Sequence, residues 1–199
     1  AAGWGGVPFP EAYDGGGFPW LVGIAMQELI SSANMAFSMA PLLTQGAIDA
    51  ILHHGSEEQR EKYLLKMVSG EWTGSMNLTE PDAGSDVGAL RTKAVRQDDG
   101  TYRITGNKMW ISNGEHDMSE NIVHLVLAKI PAADGKLVPG VRGISLFIVP
   151  TRLVTAAGEL TGERNDVALA GLNNKMGFRG ISNTLLNFGE GTFPIGGRP

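Results

Sequence analysis

Hydroxyls, carboxylates and a flexible glycine fall together in one stretch, Met76-Asn77-Leu78-Thr79-Glu80-Pro81-Asp82-Ala83-Gly84-Ser85-Asp86. Proline disfavours the α region for the residue before it, so Glu80-Pro81 must be extended or turned. Gly84 then frees the backbone, and Ser85 and Asp86 place a hydroxyl, a carboxylate and N–H groups at the bend. Turned-in N–H groups of such a loop can cradle a phosphate; the same composition also describes an ordinary surface turn. A second polar and aromatic stretch follows at Thr105-Gly106-Asn107-Lys108-Met109-Trp110-Ile111-Ser112-Asn113-Gly114. Trp110 on its own reads as a core or half-buried strand residue.

Taken together, the two stretches resemble the signature of the acyl-CoA dehydrogenase family, which carries a Leu-Thr-Glu-Pro-x-Ala-Gly-Ser-Asp loop and then a Gly-x-Lys-x-Trp-Ile-Thr/Ser-Asn-Gly hairpin. Pro10-Glu11-Ala12-Tyr13-Asp14-Gly15-Gly16-Gly17 is similar to that family's Pro-Glu-x-Tyr-Gly-Gly-x-Gly segment. Lys175 to Thr184 resembles its Lys-x-Gly-x-Arg-x-Ser-x-Thr strand, so the likeness runs through nearly the whole chain. Residues 114–124 and 162–167 look like the long bacterial branch that includes the methylthiopropionyl-CoA dehydrogenases.

The resemblance implies an FAD cofactor and α,β-dehydrogenation of an acyl-CoA thioester, with the α-proton taken by a carboxylate and the β-hydride passed to flavin N5. It implies that Met76, Asn77, Leu78 and Thr79 line the flavin, with the Thr79 hydroxyl at the N5/O4 edge. Trp110 and Ile111 would lie along the ring system, and Ser112 would supply a second hydroxyl where many relatives have threonine. Gly84 and Ser85 would approach the FAD pyrophosphate, Ser85 also touching the CoA part of the substrate. In such a site the cofactor carries the hard step while the protein supplies position and electrostatics. An electron-transfer flavoprotein is the implied electron acceptor, and a homodimer or homotetramer the implied assembly.

The elements that must hold these residues follow from local pattern. Residues 3–19 read as loop. Leu21, Ile24, Ala25, Leu29, Ala33, Ala36 and Phe37 recur at helical spacing and predict a helix from Trp20 to about Ser38, buried along one face. Pro41 predicts a break, with a second helix from about Leu42 to His53 capped by Gly55. Ser56-Glu57-Glu58-Gln59 is a capping-box pattern, opening a helix that carries Tyr63, Leu64, Met67 and Val68 and stops at Gly70. From Trp72 the pattern turns to strands. Asp99-Gly100 and Gly106-Asn107 are hairpin signals and predict a three-stranded antiparallel meander over 91–96, 101–105 and 108–112. Further strands are expected at 122–129, 143–149 and 182–188, with excursions at 131–140 and 155–163. The expected fold is α+β: a helical part at 1–73, an antiparallel β-barrel or sandwich at 74–190, and a linker at 191–199.

Composition narrows the classes. A chain of 199 residues with formal net charge -5 and no basic stripe is a poor nucleic-acid binder. Without cysteine there is no disulfide, thiol nucleophile or thiolate metal site, which fits a cytoplasmic setting. No run of eighteen apolar residues suggests a membrane span. His53 and His54 are adjacent and diverge on a helix. Glu115, His116 and Asp117 are consecutive and converge poorly on one ion, so no metal site is expected. Met109, Met176 and Phe178 read as packing, and Arg179 as a structural pair.

No glutamate here matches the family's catalytic base, and Glu80 reads as a turn residue of the loop. In the family the base commonly lies in a C-terminal four-helix domain. The chain opens Ala1-Ala2-Gly3 with no initiator methionine. The expectation is therefore a piece of a flavoenzyme, inactive alone, with that domain absent. A non-catalytic flavin- or acyl-CoA-binding module and an acyl-CoA oxidase of the same fold remain the alternatives.

Overall fold

The computed structural model describes residues 3–196. Three helices come first, α1 (Trp20–Ala33), α2 (Met35–His54) and α3 (Glu57–Ser69). The strands follow: β1 (Trp72–Asn77), β2 (Lys93–Arg96), β3 (Tyr102–Ser112), β4 (Asn121–Lys129), β5 (Ile144–Pro150), β6 (Arg152–Val154), β7 (Leu160–Arg164), β8 (Val167–Leu172) and β9 (Asn183–Phe188). The main sheet runs β1-β4-β2-β3-β9-β8 with β5 also paired to β4, while β6 and β7 form a separate hairpin. The α+β class stands, but the sheet is mixed rather than purely antiparallel. β1 and β4 are parallel along their length, from Trp72 opposite Asn121 to Asn77 opposite Val126.

The helix boundary falls at Asn34, not at Pro41. The Asn34 side chain accepts the Phe37 N–H at 2.9 Å and starts α2 as an N-cap. Pro41 lies inside α2, although it brings no N–H for the Phe37 carbonyl one turn back. Gly55 ends α2 with extended rather than left-handed geometry, its N–H bonded to Ile51 O. The capping box at Ser56–Gln59 is formed in both directions, and Gly70 closes α3 in the left-handed region. α2 is apolar and long enough to cross a membrane by length and composition; here Ala47, Ile48 and Ile51 pack instead against Leu64, Met67, Trp72 and Leu125.

The predicted buried face of α1 is outside. Leu21 is 76% exposed, and Ile24, Leu29 and Phe37 of α2 are also exposed. Gly23, Met26, Gln27, Ile30 and Ser31 face inward instead. Gly23 sits close to Pro8, and Gln27 donates to Ser38 O at 3.0 Å.

Nor is there a turn at Gly106-Asn107. β3 runs unbroken from Tyr102 to Ser112. Gly106 is needed for close approach: a Cβ there would lie 2.6 Å from Thr92 Oγ1 and 2.9 Å from Thr92 Cα. The hairpin between β2 and β3 does turn around Asp98-Asp99-Gly100, with Gln97 N–H bonded to Thr101 O. β6, β7 and β8 were not predicted, and β7 falls partly within the excursion expected over 155–163, whereas β4, β5 and β9 fall within a residue of expectation.

Candidate functional site

β1 carries the first stretch to its end and β3 carries the second, and the fold ties them together. The Met109 N–H donates to Thr79 O at 2.9 Å. Lys108 Nζ donates to Leu78 O at 3.0 Å and to Glu80 Oε1 at 2.8 Å. Glu80 also accepts from the Arg91 N–H (2.6 Å), the Thr92 N–H (3.1 Å) and the Thr92 hydroxyl. Glu80 and Ala83 exchange backbone hydrogen bonds, folding Glu80-Pro81-Asp82-Ala83 into a tight turn. Glu80 and Lys108 are both buried. Burial alone would raise the Glu80 carboxyl, but its donors outweigh this and hold it below the ordinary range. Burial pulls Lys108 down, and Glu80 opposes that pull.

This clamp is the residue pair that sequence reasoning missed. Glu80 reads as a turn former, and Lys108 as one member of a strand. Both stand inside the two stretches, so the signal was present as a Glu in one and a Lys in the other; their pairing across the fold was not.

β3 carries a bulge between Lys108 and Ile111, where its register against β9 shifts. There Trp110 adopts φ 62, a left-handed conformation that is an outlier for a bulky side chain. The bulge seats Lys108 and Ile111 in the interior while Trp110 stays 48% exposed. Ser112 is half-buried beside Asn183, whose Nδ2 lies 3.4 Å from its hydroxyl. Met76 is exposed, and Leu78 and Thr79 are half-buried. Among the described residues the Thr79 and Ser85 hydroxyls make no hydrogen bond.

Two of the predicted residues turn inward. The Ile111 side chain packs among Val126, Leu186 and Phe188. The Asn77 side chain is fully buried and bonds Ser75. Only their backbone remains near the outer face. Gly84 and Ser85 are exposed in the loop beyond the Glu80 turn.

The result is an open ledge with an indole, a thioether and two hydroxyls. Two cavities lie elsewhere. One of about 1050 Å³ separates α2 and α3 from β5, with Ile51, Lys62, Tyr63, Arg103 and Phe147 in its walls. A second, about 710 Å³, is bordered by Glu115, His116, Thr151, Arg152 and Arg164. In that wall Glu115 pairs with Arg164 and His116 with Thr73, so the carboxylates and imidazole do not converge.

Comparison with known proteins gives this geometry its setting. The family model for the acyl-CoA dehydrogenase middle domain matches residues 75–189, and that for the N-terminal domain matches residues 1–71. The chain belongs to the acyl-CoA dehydrogenase family. It is 48% identical to a 3-methylmercaptopropionyl-CoA dehydrogenase of Ruegeria pomeroyi over 96% of this chain and 32% of that one. A chain from structural work on the electron transferring flavoprotein of Acidaminococcus fermentans superposes with TM-score 0.76 at 30% identity, covering 94% of this chain and 44% of that chain. An acyl-CoA dehydrogenase of Bacillus anthracis solved with FAD gives TM-score 0.73 at 30% identity over 94% of this chain and 28% of that one. The chain thus spans about a third of the curated relative's length. The ledge fits a planar aromatic cofactor of the kind these relatives suggest: an exposed indole is held out against its backbone preference, on the strand bonded to Thr79, whose hydroxyl makes no hydrogen bond among the described residues.

Proposed function

We propose that this chain supplies the flavin- and substrate-facing wall of an FAD-dependent acyl-CoA dehydrogenase acting on an acyl-CoA thioester. One observation carries the reading: the Glu80–Lys108 clamp locks the loop stretch to the strand whose bulge turns Trp110 outward. Bound FAD would supply the two-electron acceptor for the β-hydride. Trp110 and Met76 offer an apolar surface for a flat ring, and Thr79 and Ser112 offer hydroxyl donors to its polar edge. Donors already in place stabilise charge that develops during reaction more effectively than mobile water. Gly84, Ser85 and their N–H groups would meet a pyrophosphate, and Ser85 the CoA as well.

Glu80 does not serve as the base. Its carboxylate accepts from Lys108, Thr92 and the Arg91 N–H, which hold it ionised but leave it facing the interior. We assign the α-proton acceptor to a residue outside residues 1–199, which by themselves would then bind without turnover. The likeness to the chain from the Acidaminococcus study supports an electron transferring flavoprotein as acceptor.

The test uses the full-length protein. Trp110→Ala should lower FAD affinity by at least about tenfold, the scale of one good contact, and wild-type protein should bleach with acyl-CoA under anaerobic conditions. Unchanged FAD retention in Trp110→Ala removes the ledge from the site. Tight acyl-CoA binding without bleaching would instead mark a non-catalytic module, and rapid reoxidation by oxygen an oxidase.

A further inference from the structure

The interior face of β1 is polar where a buried strand face is ordinarily apolar. Ser75 and Asn77 are fully buried there, and His124 of β4, paired opposite Ser75, is fully buried as well. Asn77 Nδ2 donates to Ser75 Oγ at 2.8 Å and points at His124 Nδ1 at 3.3 Å. Ser75 Oγ lies 2.7 Å from His124 Nδ1, and His124 Nε2 lies 2.8 Å from Thr151 Oγ1. With the Asn77 amide nitrogen placed toward it, Nδ1 is assigned as the acceptor and the ring as the neutral Nε2–H tautomer. The chain of donation then runs one way: Asn77 to Ser75, Ser75 to His124, His124 to Thr151.

Both ends are fixed to parts of the fold that matter. Thr151, at the corner after β5, bonds Ile122 through its N–H and Asn165 through its carbonyl. Phe188 meets the imidazole edge-on at 6.2 Å. Asn77 is the last residue of β1, and the chain leaves it directly into Leu78 and Thr79. The far amide atom of Asn77, Oδ1, is buried with no partner among the described residues. A purely stabilising core would replace such a network with apolar side chains at little loss.

We propose that His124 is a positioning residue for the flavin ledge: through Ser75 it fixes the Asn77 amide, and with it the backbone that presents Met76 and Thr79 outward. This rests on the reading that residues 76–79 face FAD. It needs no contact between His124 and cofactor or substrate; the imidazole acts through the strand end.

The experiment uses full-length holoprotein with Ser75→Ala, His124→Phe and His124→Gln. Titration with FAD, visible circular dichroism of the bound flavin and thermal melting of the FAD-free protein are read together. Ser75→Ala and His124→Phe should weaken FAD binding by about tenfold, the equivalent of one well-placed hydrogen bond, and alter the flavin dichroism. His124→Gln, which can still donate toward Thr151, should restore part of both. FAD affinity and dichroism matching wild type, whatever the melting temperature, would overturn the proposal and leave the network structural. If His124→Phe does not fold, Thr151→Val keeps the side-chain shape and breaks the same chain; wild-type flavin properties in that variant overturn the proposal equally. Wild-type protein that binds no FAD would bring down the functional reading and this inference with it, whereas wild-type binding with indifferent variants defeats this inference alone.

Discussion

Trp110 is held in a conformation its side chain disfavours, at a cost of order 1–3 kcal/mol for a non-glycine residue in the left-handed region. Glycine adopts that region freely. FAD-free Trp110→Gly should therefore be more stable than Trp110→Ala by about 1 kcal/mol in urea denaturation, although both lose the indole surface; equal midpoints would mean the bulge relaxes on substitution. Lys108 sits at the other side of the same turn of strand. Lys108→Met leaves the Glu80 carboxylate buried without its cation, and the loss should be about 3–5 kcal/mol. Adding Glu80→Gln to Lys108→Met should recover part of that, since the two changes touch one interaction; strictly additive losses would show that the pair is not coupled. At this scale the sequence displayed the chemistry-bearing residues but not their partners. Glu80 and Lys108 belong to stretches that were legible as a unit, yet their bond spans 28 positions, and no local pattern announces it. Likewise the inward turn of Asn77 follows from His124 on a strand that lies far along the chain.

Elements were legible where a local signal was decisive. The Ser56 capping box predicts α3 and is formed as drawn. Between α1 and α2 the Pro41 breaker was read as the boundary, but Asn34 set it instead, because its side chain bonds the Phe37 N–H. Asn34→Ala should cost about 1 kcal/mol, measured by chemical denaturation; no loss would mean that α2 starts elsewhere. Gly106-Asn107 misled for a different reason. The dipeptide favours a turn, but glycine also permits close backbone approach, and here Thr92 fills the space a Cβ would need. Gly106→Ala should push Thr92 away from Glu80, so its destabilisation, of order 1–3 kcal/mol for overpacking, should shrink when Thr92 is changed to Ser in the same chain. Independent losses would dissociate the glycine from the clamp. The parallel pairing of β1 with β4 was beyond local reading altogether, because two strands and their hairpin intervene between the partners.

At the scale of the molecule, buried ionisable groups predict how stability follows pH. Burial, with the His116 and Arg164 charges adding, pushes His124 down to about 3. The folded form keeps it neutral, whereas the unfolded chain takes up a proton near pH 6.5, so the folded state loses stability as pH falls below that value by up to ~1.4 kcal/mol per pH unit. Glu80 acts lower. Its depressed carboxyl contributes stability above its ordinary pKa of 4.5, and that contribution is lost as pH drops through the folded value. His116, also lowered by burial against the pull of Glu115 and Asp117, adds in the same direction. His124→Gln should reduce the slope of unfolding free energy between pH 6.5 and 4.5, leaving the part due to His116; an unaltered slope would mean that His124 is protonated in the fold. Helices followed by a β part were legible from periodicity alone, whereas the outward face of α1 was not. Helical spacing shows which residues share a side, not which side another element covers. That uncovered face has a thermal consequence. The chain exposes 11003 Å², against ~9,000 Å² for a compact monomer of its mass. Surface already hydrated in the folded state adds nothing to the heat-capacity step on unfolding. Of the ~2.8 kcal/mol/K typical for 199 residues, up to ~0.9 would be missing if all of that excess is apolar. In a calorimeter residues 1–199 by themselves should therefore melt with the flatter stability curve of a shorter chain.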